Sequence, residues 1–139
     1  MRRPLGGMNL SNFGFQEVGK CTLDKGLKSG VRFHVVEMRD DRVIYAYIVD
    51  GGVKYIGICD SIGITLRDRM SRYQGMTGNG TNLKIALLIK GCLQHGKVVK
   101  ILAWKPDTEI GFKGLKVDLV KGLENPLIQE LRPEWNTKL

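Results

Sequence analysis

The sequence predicts an α+β domain: a small antiparallel three-stranded sheet flanked by helices, with a strand-rich extension at its N-terminus. Three observations predict it. Residues 43–57, VIYAYIVDGGVKYIG, are two hydrophobic runs around a Gly-Gly pair, the pattern of a β-hairpin. Two segments after it carry apolar residues at helical spacing, and a strand-like run and a third helical stretch follow. The order strands, hairpin, helix, helix, strand, helix fits a sheet with helices packed around it, not an alternating βα chain.

Residues 1–12 show no periodicity and are expected to be mobile. FQEVGKCTL (15–23) and VRFHVVEM (31–38) read as strands joined by the turn-forming DKGLKSG, and RDD at 39–41 breaks the pattern. The main hairpin follows, with strands at 42–50 and 53–58 and a turn at Gly51-Gly52. On its first strand Ile44, Ala46 and Ile48 share one face, and Tyr45, Tyr47 and Val49 the other. This hairpin holds Tyr45, Tyr47 and Tyr55, three of the four tyrosines in the chain. Whether Tyr45 and Tyr55 face the same side depends on the register between the strands.

DSIGI (60–64) is a loop. Thr65 caps a helix running to about Gln74, with Leu66, Met70 and Tyr73 as its buried stripe and Arg69 and Arg72 at the margin. After the glycine-rich GMTGNG (75–80), Thr81 or Asn82 caps a second helix ended by Gly96, with Ile85, Leu88, Ile89 and Cys92 inward. KVVKILAW (97–104) is the third core strand, and KPDTEIGFKGLK a loop. The last helix starts near Val117 or Asp118 and buries Leu123, Leu127, Ile128 and Leu131. Pro126 lacks an N–H and is expected to kink or restart it.

The chain has 139 residues, 42% hydrophobic and 26% charged, which suits one globular domain. No apolar run approaches the roughly 20 residues of a membrane helix, and MRRPLGG is not followed by the apolar core of a signal peptide. A cytoplasmic location is therefore expected. Cys21, Cys59 and Cys92 are far apart and lack zinc-site spacing, so reduced thiols are expected. Lys plus Arg outnumber acids 22 to 14, a formal charge of +8, which favours polyanionic partners, nucleic acid first.

The common catalytic sets are thin. His34 and His95 lie in separate elements; GxSxG and HExxH are missing, and GNGTNLK lacks the GK[ST] ending of a phosphate-binding loop. What remains is tyrosines, arginines and Glu124, a carboxylate at the edge of the last helix's apolar stripe. Such a residue can be a boundary side chain reaching solvent. It can also hold a single Mg²⁺ that keeps most of its waters. Magnesium, phosphate oxygen and arginine are standard equipment for phosphodiester chemistry. A tyrosine base, with a free pKa near 10, needs a nearby cation such as Arg69.

These residues resemble the GIY-YIG nuclease superfamily. Val43-Ile44-Tyr45 stands for the first triplet, with Val in the Gly position, and Tyr55-Ile56-Gly57 is an unaltered second triplet. TLRDRMSRY supplies the helix arginine as Arg69, with Arg67 and Arg72 beside it. LENPLIQELRPEWN supplies Glu124 and the ending Pro133, Trp135, Asn136. The likeness runs from about residue 43 to 136 and is strongest to compact stand-alone members, phage endonucleases and small type II restriction enzymes. It divides the chain into an extension (1–42) and a nuclease domain (43–139). Ile58 replaces a lysine that many members carry after the second triplet; Lys54 and Lys84 are the candidates to replace it.

The resemblance implies a metal-dependent DNA endonuclease leaving 5′-phosphate and 3′-hydroxyl ends. Glu124 would ligate Mg²⁺ (or Mn²⁺), Arg69 would bind the phosphate, Tyr45 would be the general base and Tyr55 would position the water. Asn136 would tie down the C-terminal segment or bond a tyrosine hydroxyl. Tyr47 would only pack, and Tyr73 is expected in the core, one turn from Arg69 and within reach of the site. Lys84, Arg72, Lys54 and Gly57 would meet double-stranded DNA. Cutting both strands requires a homodimer, a homotetramer or sequential nicking. The alternative is a non-catalytic nucleic-acid-binding module on a decayed nuclease fold. Restriction, phage DNA degradation and repair would all use such a domain.

Overall fold

A computed structural model describes residues 10–36, 40–78, 80–106 and 110–137. Residues 1–9, 37–39, 79, 107–109, 138 and 139 lie outside them, and with them most of the expected mobile start and the ends of the 31–38 strand and of RDD. Residues 10–12 belong to a short 3₁₀ turn, Leu10–Phe13, whose Leu10 is buried.

The hairpin forms as its alternation dictates. Strands β3 (Val43–Val49) and β4 (Gly52–Cys59) pair antiparallel, with Tyr45 opposite Gly57 and Tyr47 opposite Tyr55. The turn falls one residue earlier than expected, on Asp50 and Gly51, both at positive φ (47° and 85°). Two successive positive φ values match the strand twist, and Asp-Gly supplies them more cheaply than a pair with a bulky first residue.

The sheet is larger than the three strands expected. Its order is β2-β1-β5-β3-β4, where β1 is Gln16–Leu23, β2 Val31–Val35 and β5 Val99–Trp104. The N-terminal strands therefore extend the sheet that holds the hairpin, with β1 pairing β5 antiparallel. Local patterning announces strands, but this pairing spans about eighty residues of sequence and leaves no periodic trace.

β3 is buried on both faces. Tyr45, Tyr47 and Val49 join one core with Phe33, Ile101 and residues of α1 (Leu66–Gly75) and α2 (Gly80–Gln94). Ile44, Ala46 and Ile48 join a second core with Phe15, Ile56 and Val120 and Leu127 of α3 (Leu119–Leu131). α1 starts at a capping box in which Thr65 accepts from the Asp68 N–H and Asp68 accepts from the Thr65 N–H.

Three helical details differ from expectation. α2 begins at Gly80, so Thr81 and Asn82 lie inside it, and the buried Asn82 donates to the Thr77 carbonyl at 2.7 Å. Its inward stripe is Ile85, Ala86 and Ile89; Leu88 is exposed and Cys92 only half-buried. α3 runs through Pro126 without a break, capped by Asp118, because only one backbone bond is lost and Leu127 remains anchored in the core. The segment read as a loop after β5 contains a small hairpin, β6 (Gly111–Phe112) and β7 (Leu115–Lys116). α4 (Glu134–Thr137) closes the described chain. Among the described residues no helix is long and apolar enough to cross a membrane.

Candidate active site at the edge of the sheet

β4 is an edge strand, and its outward backbone groups need partners. At Ile56 they are met by one side chain. Asn136 accepts from the Ile56 N–H at 2.8 Å and donates to the Ile56 carbonyl at 2.9 Å, mimicking a strand. Trp135 beside it is buried in the tyrosine-side core. The chain thus wraps from α3 on one face around the β4 edge to the other. Of the two expected roles for Asn136, the observed one is tethering. Lys54 pairs with Glu134 at 3.5 Å on the same edge.

The register brings Tyr45 and Tyr55 to one face, their ring centroids 6.4 Å apart. Gly57 lies under the Tyr45 ring; a Cβ there would come within 2.5 Å of the Tyr45 hydroxyl and Cζ. The glycine of the second triplet is therefore required by the tyrosine of the first, and it is buried. Tyr73 from α1 completes the cluster. Its hydroxyl is 2.7 Å from that of Tyr45, and Arg69 Nε donates to the Tyr45 hydroxyl at 3.3 Å. Tyr47 donates to the Met70 sulfur at 3.4 Å, in keeping with a packing role.

Accessibility separates the tyrosines. Tyr45 and Tyr73 are fully buried, while Tyr55 keeps 8% of its surface open. Burial raises the pKa of all three. For Tyr45 the charge of Arg69 and its hydrogen bond oppose the rise. For Tyr55 the opposing influences are Tyr73 and Arg69, and Glu124 adds to the rise. Arg69 is half-buried, and among the described residues no carboxylate lies within ion-pairing distance of it.

Glu124 extends from the margin of α3, half-buried. Burial raises its pKa first and the neighbouring Asp60 second, against the pull of Arg69. No cluster of three or more His, Cys, Asp or Glu suited to a metal occurs among the described residues. The donor set fits an ion such as Mg²⁺, which takes hard oxygen ligands, keeps several waters and needs only one or two carboxylates.

Among the remaining candidates, Lys84 and Arg72 are exposed. The three cysteines are free thiols; burial pushes that of Cys59 up to about 12. Of two further participants, Tyr73 was placed from sequence only within reach of the site and Asp60 was not singled out. Tyr73 read as core by its helical spacing, and nothing local marks its hydroxyl as bonded to Tyr45. Asp60 follows β4 directly, and its influence on Glu124 depends on how α3 docks.

The fold, an antiparallel sheet with helices on both faces, has solved counterparts. The chain is similar in structure to a point mutant of bacteriophage T4 EndoII, with a TM-score of 0.68 and 17% identity over 97% of this chain and 99% of that one. It is also similar to the restriction endonuclease HPY188I in complex with product DNA, with a TM-score of 0.51 and 15% identity over 88% of this chain and 78% of that one. At these identities the likeness is one of fold. No family model and no curated protein sequence matches the chain.

Proposed function

We propose that the protein is a metal-dependent endonuclease that hydrolyses phosphodiester bonds in DNA, leaving 5′-phosphate and 3′-hydroxyl ends, and that it belongs to the GIY-YIG type. The observation that carries this is the gathering of Tyr45, Tyr55, Tyr73, Arg69, which has no carboxylate partner among the described residues, and the half-buried Glu124 beside β4. Support comes also from the two solved chains of the same fold, both nucleases by name, one of them bound to product DNA. The formal charge of +8 agrees with a polyanionic substrate.

Arg69 binds the scissile phosphate. Its Nε is held by Tyr45, which fixes the guanidinium before substrate arrives, and it stabilises the charge that builds up on the phosphate oxygens. Glu124 would hold Mg²⁺, which when bound neutralises a phosphate oxygen and the leaving 3′ oxygen. The family resemblance pointed to Tyr45 as general base. Its complete burial argues for the other division of work: Tyr55, which keeps some surface open, takes the proton from the attacking water as its phenolate, and Tyr45 positions Arg69. Burial first and the Glu124 charge last hold the Tyr55 pKa up, so a cation beside Glu124 would ease formation of the Tyr55 phenolate. Asn136 holds β4 in place beside it. Lys84 and Arg72 contact flanking phosphates.

Plasmid nicking with and without Mg²⁺ tests this, alongside Glu124→Ala. Wild type should nick only with Mg²⁺ or Mn²⁺, and the variant should bind DNA without cutting. A wild type that binds DNA yet never nicks it with either metal would leave the decayed, non-catalytic module as the answer.

A further inference from the structure

The small hairpin before α3 is unused by the chemistry above, and its surface is unusual. Every residue from Ile110 to Lys116 is exposed. Phe112 is 65% exposed, Leu115 72% and Ile110 45%. The turn, Lys113 and Gly114, has positive φ at both residues (53° and 80°), and Val117 donates to the Ile110 carbonyl at 2.9 Å, so the arm has a defined shape. Apolar side chains on a formed hairpin pointing to water mark a contact surface.

Charge selects the occupant. Residues 110–117 contain Lys113 and Lys116 and no acid, and Lys113 Nζ lies 5.5 Å over the Phe112 ring. At its base the hairpin borders an open depression of about 420 Å³ lined by Arg42, Ile62, Lys105, Lys116, Val117 and Asp118. Arg42 pairs there with Asp118 and Lys105 with Asp41, while Lys116 has no ion pair among the described residues. Ile62 adds a further exposed apolar group, 85% open. A second copy of a chain with charge +8 is a poor partner for such a surface, whereas a polyanion with an apolar-walled groove is a good one. Lysines beside an apolar tip are the equipment of proteins that enter the minor groove.

Position favours DNA at the same site. The hairpin runs through Val117 into the Asp118 cap of α3, and Glu124 lies six residues on, a rise of about 9 Å. Lys121 and Arg42 reach Asp60, the neighbour of Glu124, from the same side. We propose that the Gly111–Lys116 hairpin is a DNA-binding arm whose Phe112 and Leu115 enter the minor groove next to the bond being cut, with Lys113 and Lys116 on the flanking phosphates.

This rests on the endonuclease reading, and binding and cleavage are measured separately for that reason. Anisotropy of a labelled short duplex, without divalent metal and over a salt series, reads the arm. Phe112→Ser with Leu115→Ser should weaken binding about tenfold or more at unchanged salt slope, since apolar contact is lost. Lys113→Ala with Lys116→Ala should lower the slope by about 2. Distamycin, which fills the minor groove, should weaken wild type and leave the serine variant unaffected. All four side chains are exposed, so both variants should keep the wild-type melting curve. Wild-type affinity in the serine variant would overturn the arm, even if the plasmid is nicked. Sedimentation showing a wild-type dimer that the serine variant dissolves would overturn it too, assigning the hairpin to self-association. Wild type that binds duplex with the predicted losses but never nicks would sustain the arm and sink the endonuclease. No duplex binding at any salt would sink both.

Discussion

The two faces of β3 are equally buried and built for different ends. One carries Ile44, Ala46 and Ile48 against α3; the other carries Tyr45 and Tyr47 against α1. A strand buried on both sides needs nothing beyond branched aliphatics, and a hydroxyl placed there costs stability unless it is bonded. The tyrosine face meets that cost with Tyr73 and Met70, and leaves Arg69 half-buried without a carboxylate partner among the described residues. The aliphatic face needs no such partners. One face therefore holds the strand in place, and the other uses that rigidity to fix hydroxyls and a guanidinium beside the sheet edge.

Substitutions should separate the faces, and the largest effects fall on cleavage. Arg69→Ala and Glu124→Ala should each reduce the nicking rate by about 10²–10³-fold or more, with melting curves close to wild type. A large loss of stability with proportionate loss of rate would merge the two faces into one core.

Tyr55→Phe comes next. Loss of a general base costs about 10²–10⁴-fold, and the rise of rate with pH should flatten, because the ionising hydroxyl is gone. Tyr45→Phe should lose less and retain that rise. The reverse ranking would restore the base to Tyr45, as the family resemblance first indicated. On the opposite face Ile44→Ala should destabilise by about 2–5 kcal/mol in chemical denaturation, with activity per folded molecule unchanged.

Much of this division is written locally. Alternation in VIYAYIV assigns each side chain to its face, and Thr65 with Asp68 announces the start of α1. The placement of Tyr45, Tyr55 and Arg69 in one cluster follows from those local signals and the hairpin register. What was not legible depends on distant partners. β1 and β2 read as an extension because nothing in residues 16–35 names β5 as their neighbour. Leu88 read as core because its period fits, but α2 docks on Ile85, Ala86 and Ile89. The 111–116 hairpin is too short for a periodic signal, and its Phe112 and Leu115 have no core to belong to.

Asn136→Ala tests the tether between the faces. It strips partners from both the N–H and the carbonyl of Ile56, a cost of about 1–3 kcal/mol. Hydrogen exchange at the Ile56 amide should speed up more than at Ala46 in the neighbouring strand. Equal acceleration at both would mean that Asn136 supports the whole sheet and not its edge alone.

The smallest effect, and the most specific, concerns Asp60. Glu124 has a raised pKa, chiefly from burial and then from the Asp60 charge. A carboxyl with a folded pKa above its unfolded value favours folding most below the unfolded value, and that contribution is lost as pH rises through the folded one. Metal binding has the opposite need, since only the carboxylate ligates. Acid should therefore abolish nicking at a higher pH than an ordinary glutamate would give. Asp60→Asn removes the neighbouring charge, so the acidic limb of the pH–rate profile should move down. Stability at neutral pH should change little, because the Lys121–Asp60 contact at 3.8 Å is exposed and such pairs contribute about 0–1 kcal/mol. A limb that moves up would mean that Asp60 attracts the cation more than it burdens Glu124, making it a second carboxylate of the metal site.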